Sequence, residues 1–523
     1  MHSETIGEAL RLQADRRPDS PFLFQADRRL SYLQVATQSS ALAVGLRNLG
    51  VEQGDRIAID LPNWPEFAVA TFAAALLGAT IVPLNPGYTP RELQFMLRHS
   101  EAVVAITAEN WAGTDYLQLF EGLLIELPDL QYLVTVGEED LWYDDRIFQF
   151  EDLVSSGMGR ELEPVEQDPA ADTFAILYTP GTTGTPKGVM LSHANLLSAA
   201  RATADALALA ESDVALCAVP LYHIFGLGAA LLTTAVSGGS VVLQEPFDAA
   251  EALGLVERHG ITVLHGVPTM FVMLLRHPDV GAFDLSSLRT GIVAGAPVAP
   301  ELVDRARDQL VPDLEIAYGL TETSPTVTIT SPSDPDELRV NSVGRPVAGV
   351  EVVVVDDEDR AVPAGALGEV AVGGPNVMLG YFRQPSETGS AFTAEGMLKT
   401  GDLAHLDAQG YLHIEGRKGD VIIRGGYNVH PREIENHLRS HPAVLDVVVV
   451  GVPNEVLGEL ICACVITAEG ALITDSELQE FARKAIADYK VPDLIRFVEV
   501  LPSTPSGHAR RKELARTVRS EIS

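Results

Sequence analysis

The chain reads as an α/β protein built of more than one domain, and three observations predict this. At 523 residues it is too long for a single hydrophobic core. Its first two thirds alternate short apolar strand runs with helical segments, the βαβ rhythm of a mostly parallel sheet. Beyond Val343 the texture changes to strands split by Gly and Pro turns. Beyond Gly419 about a hundred residues alternate as a small α+β unit.

The elements follow in order. Residues 6–49 carry helical apolar spacing around a short strand signal, Leu30-Ser31-Tyr32. Gly54-Asp55 punctuates the chain before a strand at 56–61. Leu61-Pro62-Asn63-Trp64-Pro65 opens a helix at 66–78, and 81–84 is the next strand. The rhythm returns in strands at 102–106, 132–136, 241–243 and 262–264. Glu138-Glu139-Asp140 and Asp144-Asp145 read as an exposed acidic loop. Strands at 350–355 and 368–372 form the β-rich part, and 386–398 reads as a short helical connection. The last unit holds a helix at 431–438, strands at 444–451 and 461–466, a helix at 476–487 and a strand at 496–500.

Composition narrows the function. The formal charge of -35 argues against nucleic acid and against anionic membrane surfaces as partners. Lysine supplies only six of the 37 basic residues, as fits either a salt-rich cytoplasm or an Arg-favouring genome. Cys217, Cys462 and Cys464 form neither a metal spacing nor a disulfide framework. With no signal-peptide pattern after Met1, a reducing, cytoplasmic location is expected. Two apolar stretches, 67–84 and 216–243, are broken by Gly and Pro and read as buried core rather than transmembrane spans.

The segment 178–188, Tyr-Thr-Pro-Gly-Thr-Thr-Gly-Thr-Pro-Lys-Gly, follows the apolar run 174–177. Glycines let backbone N–H groups approach a ligand, and Thr hydroxyls with one Lys ammonium add donors and charge, a combination suited to a polyphosphate. It is not a Walker A loop, since Pro186 stands where that pattern has Gly and Gly188 where it has a hydroxyl. Tyr318-Gly319-Leu320-Thr321-Glu322 places a ring, a hydroxyl and a carboxylate after a strand at 314–317. The carboxylate is suited to Mg²⁺ together with phosphate oxygens. Ala294-Gly295-Ala296-Pro297 is a small-residue turn against which a flat ring can lie. Thr400-Gly401-Asp402 puts a carboxylate in a turn where it can accept both ribose hydroxyls. Gly416-Arg417-Lys418-Gly419-Asp420 concentrates charge shortly after it.

In this order the strings closely resemble the adenylate-forming superfamily of acyl-CoA synthetases, adenylation domains and luciferases, over about residues 5–514. The resemblance implies a large N-terminal domain, 1–418, of two α/β subdomains plus a β-barrel-like one, and a small mobile C-terminal domain, 419–523. It implies that a carboxylate attacks the α-phosphate of Mg·ATP to give acyl-AMP and pyrophosphate, and that a thiol then takes the acyl group. Carried over, Thr182, Thr183, Gly184 and Lys187 would hold the β- and γ-phosphates. Tyr318, Gly295 and Ala296 would flank adenine. Thr321 would contact the α-phosphate, Glu322 would hold Mg²⁺, and Asp402 and Arg417 would bind ribose. Gly425 and Gly426 would line the pantetheine tunnel of CoA. His223, in Pro220-Leu-Tyr-His-Ile-Phe-Gly226, would gate the acyl carboxylate pocket, and His265 would stand in a pocket wall. Gly419 matches the hinge of domain rotation.

One departure bears on mechanism. In the closing motif, Ser506-Gly507-His508, the family has Lys where this chain has His508. Imidazole is shorter and largely neutral at pH 7. Either His508 bridges carboxylate and α-phosphate less well, or Arg510, Arg511 or Lys512 reaches in, or adenylation is slow. The resulting expectation is an AMP-forming acyl-CoA synthetase acting on an apolar small-molecule carboxylic acid, a medium- or long-chain fatty acid first. The apolar Ile224, Phe225, Leu227, Val267 and Met270 favour such a tail, and no charge able to pair with a second carboxylate or an amino group is evident in the pocket. Its cofactors and partners would be ATP, Mg²⁺ and CoA, with a homodimer left open. The alternatives are transfer of the acyl group to an amine or a carrier-protein thiol, and a nucleotide-binding relative with impaired adenylation. A dinucleotide-binding oxidoreductase is disfavoured by the lack of Gly-x-Gly-x-x-Gly after the first strand.

Overall fold

A computed structural model describes residues 4–139, 141, 144–179, 186–424, 427–454, 457–468, 470–486, 488–502 and 510–522. Two large sheets carry the N-terminal part. The first runs Gly380–Tyr381, Lys187–Ser192, Thr173–Thr179, Thr80–Pro83, Arg56–Asp60, Ala102–Ala108, Tyr132–Val136 and Ile147–Gln149, and its last six strands are parallel. The second runs Arg345–Pro346, Thr328–Ile329, Asp313–Tyr318, Thr290–Val293, Val263–Leu264, Val214–Cys217, Ser240–Leu243, Pro21–Gln25 and Arg28–Ser31. Here too the six central strands, Asp313–Tyr318 to Pro21–Gln25, are parallel.

Helices fill the space between the sheets. Pro65–Leu77 is buried along all of its residues, as a helix apolar all round except for Glu66 and Thr71 must be. Pro65 starts it, and Gly78 ends it at φ 72°, in the left-handed region. This helix and the strand Thr80–Pro83 account for the apolar stretch at 67–84. Among the described residues no helix is long and apolar enough to cross a membrane. Helices Ile6–Arg16 and Tyr32–Asn48 pack on it, and one contiguous core takes in Ile57 and Ile59 from the first sheet and Leu216, Val242 and Ile292 from the second. Asn63 ties the sheets together. Its Nδ2 lies 3.1 Å from the carbonyl oxygens of Cys217, Val219 and Gln244, and its Oδ1 accepts from the Leu221 N–H at 2.7 Å.

The β-rich part is an antiparallel sheet, Glu351–Val355, Gly368–Gly373, Leu398–Leu406 and Leu412–Arg417, over a small core of Val327, Val354, Val370, Val372, Ala404 and Leu412. The C-terminal unit pairs Tyr427–Val429, Ile422–Arg424, Gly458–Thr467 and Val444–Asn454, with Leu494–Phe497 parallel to Gly458–Thr467. Its central hairpin is covered on both faces. Val447 and Val449 face one core with Ile434 and Leu438, and Val448 and Val450 face another with Leu514 and Val518. A run of four valines is what burial on both faces requires.

Some elements differ from the sequence reading. The helical connection at 386–398 is a shorter helix, Pro385–Ala391. Gly396, at φ 82°, then turns the chain and the Thr393 N–H bonds the Met397 oxygen. The helix at 476–487 stops at Arg483, the final strand is displaced to Leu494–Phe497, and a last helix, Arg511–Ile522, closes the second C-terminal core. Phe225–Leu232 forms a π-helix in a stretch whose glycines read as interruptions. Those glycines admit it. A Cβ on Gly226 would stand 2.1 Å from the Pro220 oxygen, and one on Gly228 would stand 2.6 Å from Pro325 Cδ.

Candidate active site

The motif residues gather where open parallel sheets place ligands, at the carboxyl ends of the strands. Strand Thr173–Thr179 returns as Lys187–Ser192, and Thr179 pairs with Lys187 across the hairpin. Thr182, Thr183 and Gly184, in the loop between them, lie outside the described residues, as do Gly425, Gly426 and His508. Lys187 is largely buried, with Nζ 2.5 Å from Glu387 Oε2 and 4.8 Å from the centre of the Tyr381 ring. The pairing of Val189 with Tyr381 brings that ring alongside. The Tyr381 hydroxyl donates to Glu322 Oε1 at 3.0 Å. Burial and the Glu322 carboxylate both push the Tyr381 phenol well up, so it stays a donor.

Thr321 and Glu322 sit on a single 3₁₀ turn, Thr321–Thr323, directly after strand Asp313–Tyr318. Gly319 is required there, since a Cβ would stand 1.5 Å from the Pro325 oxygen. The Met378 N–H bonds the Glu322 oxygen at 2.9 Å, and Asn376 Nδ2 bonds the oxygens of Thr323 and Thr326, which fixes the turn. Tyr318, at the end of its strand, donates its hydroxyl to Asp402 Oδ2 at 2.7 Å. The register of Leu398–Leu406 and Leu412–Arg417 sets Asp402 opposite Arg417, whose Nε lies 2.8 Å from Oδ1. Burial pushes the Asp402 carboxyl up, while Arg417 and the Tyr318 hydroxyl pull it back. The same carboxylate holds the Arg417 guanidinium firmly charged. Gly295 takes φ 86° in the turn after Thr290–Val293, and Ala296 follows it. Both are partly exposed, and Val293 pairs with Ile316 near the start of the Tyr318 turn.

His223 lies on the turn after Val214–Cys217. The Phe225 N–H donates to its Nδ1 at 3.2 Å, which leaves the proton of a neutral ring on Nε2. His265 is fully buried, its centroid 6.2 Å from that of Phe225, with neither nitrogen hydrogen-bonded among the described residues, and burial lowers its pKa to about 4. Of the basic residues weighed beside His508, Arg511 is held within the C-terminal unit by Glu435, by the Val449 oxygen at 2.6 Å and by Asp420 at 3.1 Å. Arg510 is exposed and pairs with Glu513 at 3.4 Å.

The structure therefore brings together two rows. One joins Tyr318, Asp402 and Arg417, and the other joins Glu387, Lys187, Tyr381 and Glu322. Tyr381 and Glu387 have no place in the sequence reading. The aromatic residue after Gly380, next to a strand end, was the available signal for the first, and nothing local marks the second.

Comparison with known proteins places these observations. The model of the AMP-binding enzyme family matches residues 10–382, and that of the AMP-binding enzyme C-terminal domain matches residues 433–508. A feruloyl-CoA synthase from Amycolatopsis sp is 35% identical, over 99% of this chain and 99% of its own. A mitochondrial medium-chain acyl-CoA ligase, ACSF2, from Danio rerio is 33% identical over 100% of this chain and 89% of its own. The crystal structure of the anthranilate CoA ligase AuaEII with anthranoyl-AMP superposes with a TM-score of 0.90 at 28% identity, covering 100% of this chain and 98% of that one. This chain belongs to the AMP-binding enzyme family, within the adenylate-forming superfamily, and is an AMP-forming acid–thiol ligase of the acyl-CoA synthetase kind.

Proposed function

We propose that the chain activates a carboxylic acid with an apolar tail, medium- to long-chain fatty acids first, as acyl-AMP and passes the acyl group to CoA. The observation that carries this reading is the pair of rows at the strand ends. One presents a carboxylate held by a guanidinium beside a phenol, the chemistry of a nucleoside site. The other presents an ammonium close to a carboxylate. Lys187 exchanges Glu387 for the β- and γ-phosphates, helped by Thr182, Thr183 and Gly184. Asp402 and Arg417 take the ribose, with Tyr318, Gly295 and Ala296 beside adenine. Thr321 meets the α-phosphate.

Glu322 has one oxygen on Tyr381 and suits Mg²⁺, which takes one or two carboxylates and completes its shell with phosphate oxygens and water. Among the described residues no three His, Cys, Asp or Glu side chains gather to hold a metal alone, in keeping with an ion that arrives on ATP. Developing charge on the α-phosphate is stabilised by positioned donors rather than by covalent help. His223 gates the acyl carboxylate. Residues 419–523 swing about Gly419 to bring first His508 and then Gly425 and Gly426 to the acyl group.

Apolar tails are supported by Phe225, Leu227 and Met270, all buried, and by the medium-chain and feruloyl substrates in the names of the relatives. The test is mass spectrometry of products from Mg·ATP, CoA and a panel of fatty and aryl acids, run with the parent chain and His508→Lys. Acyl-CoA with equimolar AMP supports the reading. Acyl-AMP that persists in the presence of CoA would move the acceptor elsewhere, and products from His508→Lys alone would locate the deficit at residue 508.

A further inference from the structure

The short strand Gly380–Tyr381 sets two side chains against Lys187 by two different routes. It pairs with Lys187–Ser192, Val189 opposite Tyr381 and Met190 opposite Gly380, and the Phe382 N–H bonds the Gly188 oxygen at 2.7 Å. That register lays the Tyr381 ring centre 4.8 Å from the Lys187 ammonium. The chain then turns into the helix Pro385–Ala391, which Thr388 fastens back onto the strand. The Thr388 hydroxyl accepts from the Tyr381 N–H at 2.8 Å and donates to the Gln384 oxygen at 2.9 Å. Gly380, at φ 144°, is needed for this fit, since a Cβ there would stand 2.7 Å from Thr388 Cγ2. Glu387, next to Thr388 on the helix, thereby reaches Lys187, with Oε2 2.5 Å from Nζ.

Ion pairs between freely moving surface chains contribute little. This one is differently placed. The Lys187 side chain is 17% exposed, lies over a ring that attracts cations, and meets the carboxylate at the distance of a charge-assisted hydrogen bond. Glu387 is 46% exposed, so its carboxylate has solvent to move into while the helix stays fastened. The far end of the row has its own partner, since Glu322 takes the Tyr381 hydroxyl. Among the described residues Glu387 is the acidic side chain paired with Lys187. A polyphosphate on this ammonium would bring its oxygens against a carboxylate already seated on the same nitrogen. The two anions therefore compete for one cation.

We propose that Glu387 is a latch on Lys187 that competes with the β- and γ-phosphates for its ammonium. This rests on the proposed function for the seat of the phosphates at Lys187, and adds control over their exchange. On entry, ATP displaces a carboxylate. On exit, the same carboxylate retakes the ammonium as pyrophosphate withdraws. A binding group engaged elsewhere lowers apparent affinity by the fraction of time it is free. A latch closed for about two thirds to nine tenths of the time weakens both ligands about three- to tenfold. Glu387 touches no reacting atom and acts through Lys187, which makes it a positioning residue.

Calorimetric titration of the full chain with Mg·ATP, and separately with Mg·pyrophosphate, without acid or CoA, reads the latch directly. Glu387→Gln keeps the shape of the side chain and removes its charge. It is expected to bind both ligands about three- to tenfold more tightly than the parent. Glu387→Ala is expected to show the same gain, so the result does not depend on how one variant folds. In the Lys187→Ala background the gain should vanish, because no ammonium is left to hold. Plain repulsion of phosphate by Glu387 would leave it in place. Unchanged or weaker binding in both Glu387 variants, or a gain of equal size in Lys187→Ala, overturns the proposal.

Turnover gives a second reading. With a fatty acid and CoA, the pyrophosphate concentration that halves the rate should fall by the same factor in Glu387→Gln, and an unmoved value counts against the latch. If the parent binds Mg·ATP and the Glu387 variants match it, the latch falls and the proposed function stands. If the parent binds no Mg·ATP, the proposed function fails and the latch with it.

Discussion

Asp402 shows how single residues hold the nucleotide site together. Its two oxygens are divided between Arg417 and Tyr318, so it orients a guanidinium and a phenol at once. Asp402→Asn keeps the shape and removes the charge. We expect the KM for ATP to rise about tenfold or more, with a stability loss of only about 1 kcal/mol because Arg417 is half-exposed. Steady-state kinetics and urea unfolding check both parts.

Asp60 works in the opposite sense. Burial pushes its carboxyl from an ordinary value of 3.8 to about 7, so between those values the folded chain keeps a proton that the unfolded chain has lost. Stability therefore falls as pH rises from about 4 to 7, by up to about 4 kcal/mol from this group. Asp60→Asn should flatten that decline and make the chain more stable at pH 8 than its parent, as read from unfolding midpoints at pH 5 and pH 8. His193, buried neutral and lowered to about 4, opposes it. The unfolded chain gains that proton as pH falls below 6.5, and stability is lost toward pH 4.

Among the elements, the strand–turn–strand units explain both what sequence could reveal and what it could not. The Tyr318–Glu322 turn is legible because its chemistry is contiguous and a glycine marks the tight passage by Pro325. The strand entering the threonine-rich segment is legible as the apolar run 174–177, while its return strand, Lys187–Ser192, is seen only in the pairing. Tyr381 and Glu387 are not legible, because each acts through a partner about sixty or two hundred residues away, reached by sheet register or by a short helix. Asp60 is hidden for another reason, since a charge closing an apolar run looks like an ordinary strand terminus. The helix Arg511–Ile522 is missed because the motif before it draws the reading toward a loop, while its burial against Val448 and Val450 is purely tertiary.

Asn63 offers the element-scale test. Removing its side chain in Asn63→Ala strips bonds from Cys217, Val219, Gln244 and Leu221 inside a dry seam. The expected loss is about 2–4 kcal/mol, seen as a lowered urea midpoint. A change below about 0.5 kcal/mol would show that the seam does not depend on this tie.

Across the whole molecule, one large core joins the two big sheets, and the C-terminal unit keeps two small cores of its own. Arg511 belongs to that unit, tied to Glu435, which is almost wholly buried, and to Asp420. Arg511→Met would leave Glu435 a buried charge without its partner and should cost about 3 kcal/mol. In differential scanning calorimetry this should appear as a lowered C-terminal transition, with the N-terminal transition unmoved. The division of labour was open to sequence reading at the level of two textures. The ties between them were not, since they depend on which side chains meet across the fold.

The central claim is that the two polar rows at the strand ends bind Mg·ATP so that a carboxylic acid attacks its α-phosphate. The most direct measurement is exchange of labelled pyrophosphate into ATP, with and without a fatty acid. This step precedes the thiol and needs no CoA. The account predicts exchange that requires both the acid and Mg²⁺, and that falls by about 10²-fold or more in Lys187→Ala. Exchange absent with every acid, in the parent chain and in His508→Lys alike, would contradict it.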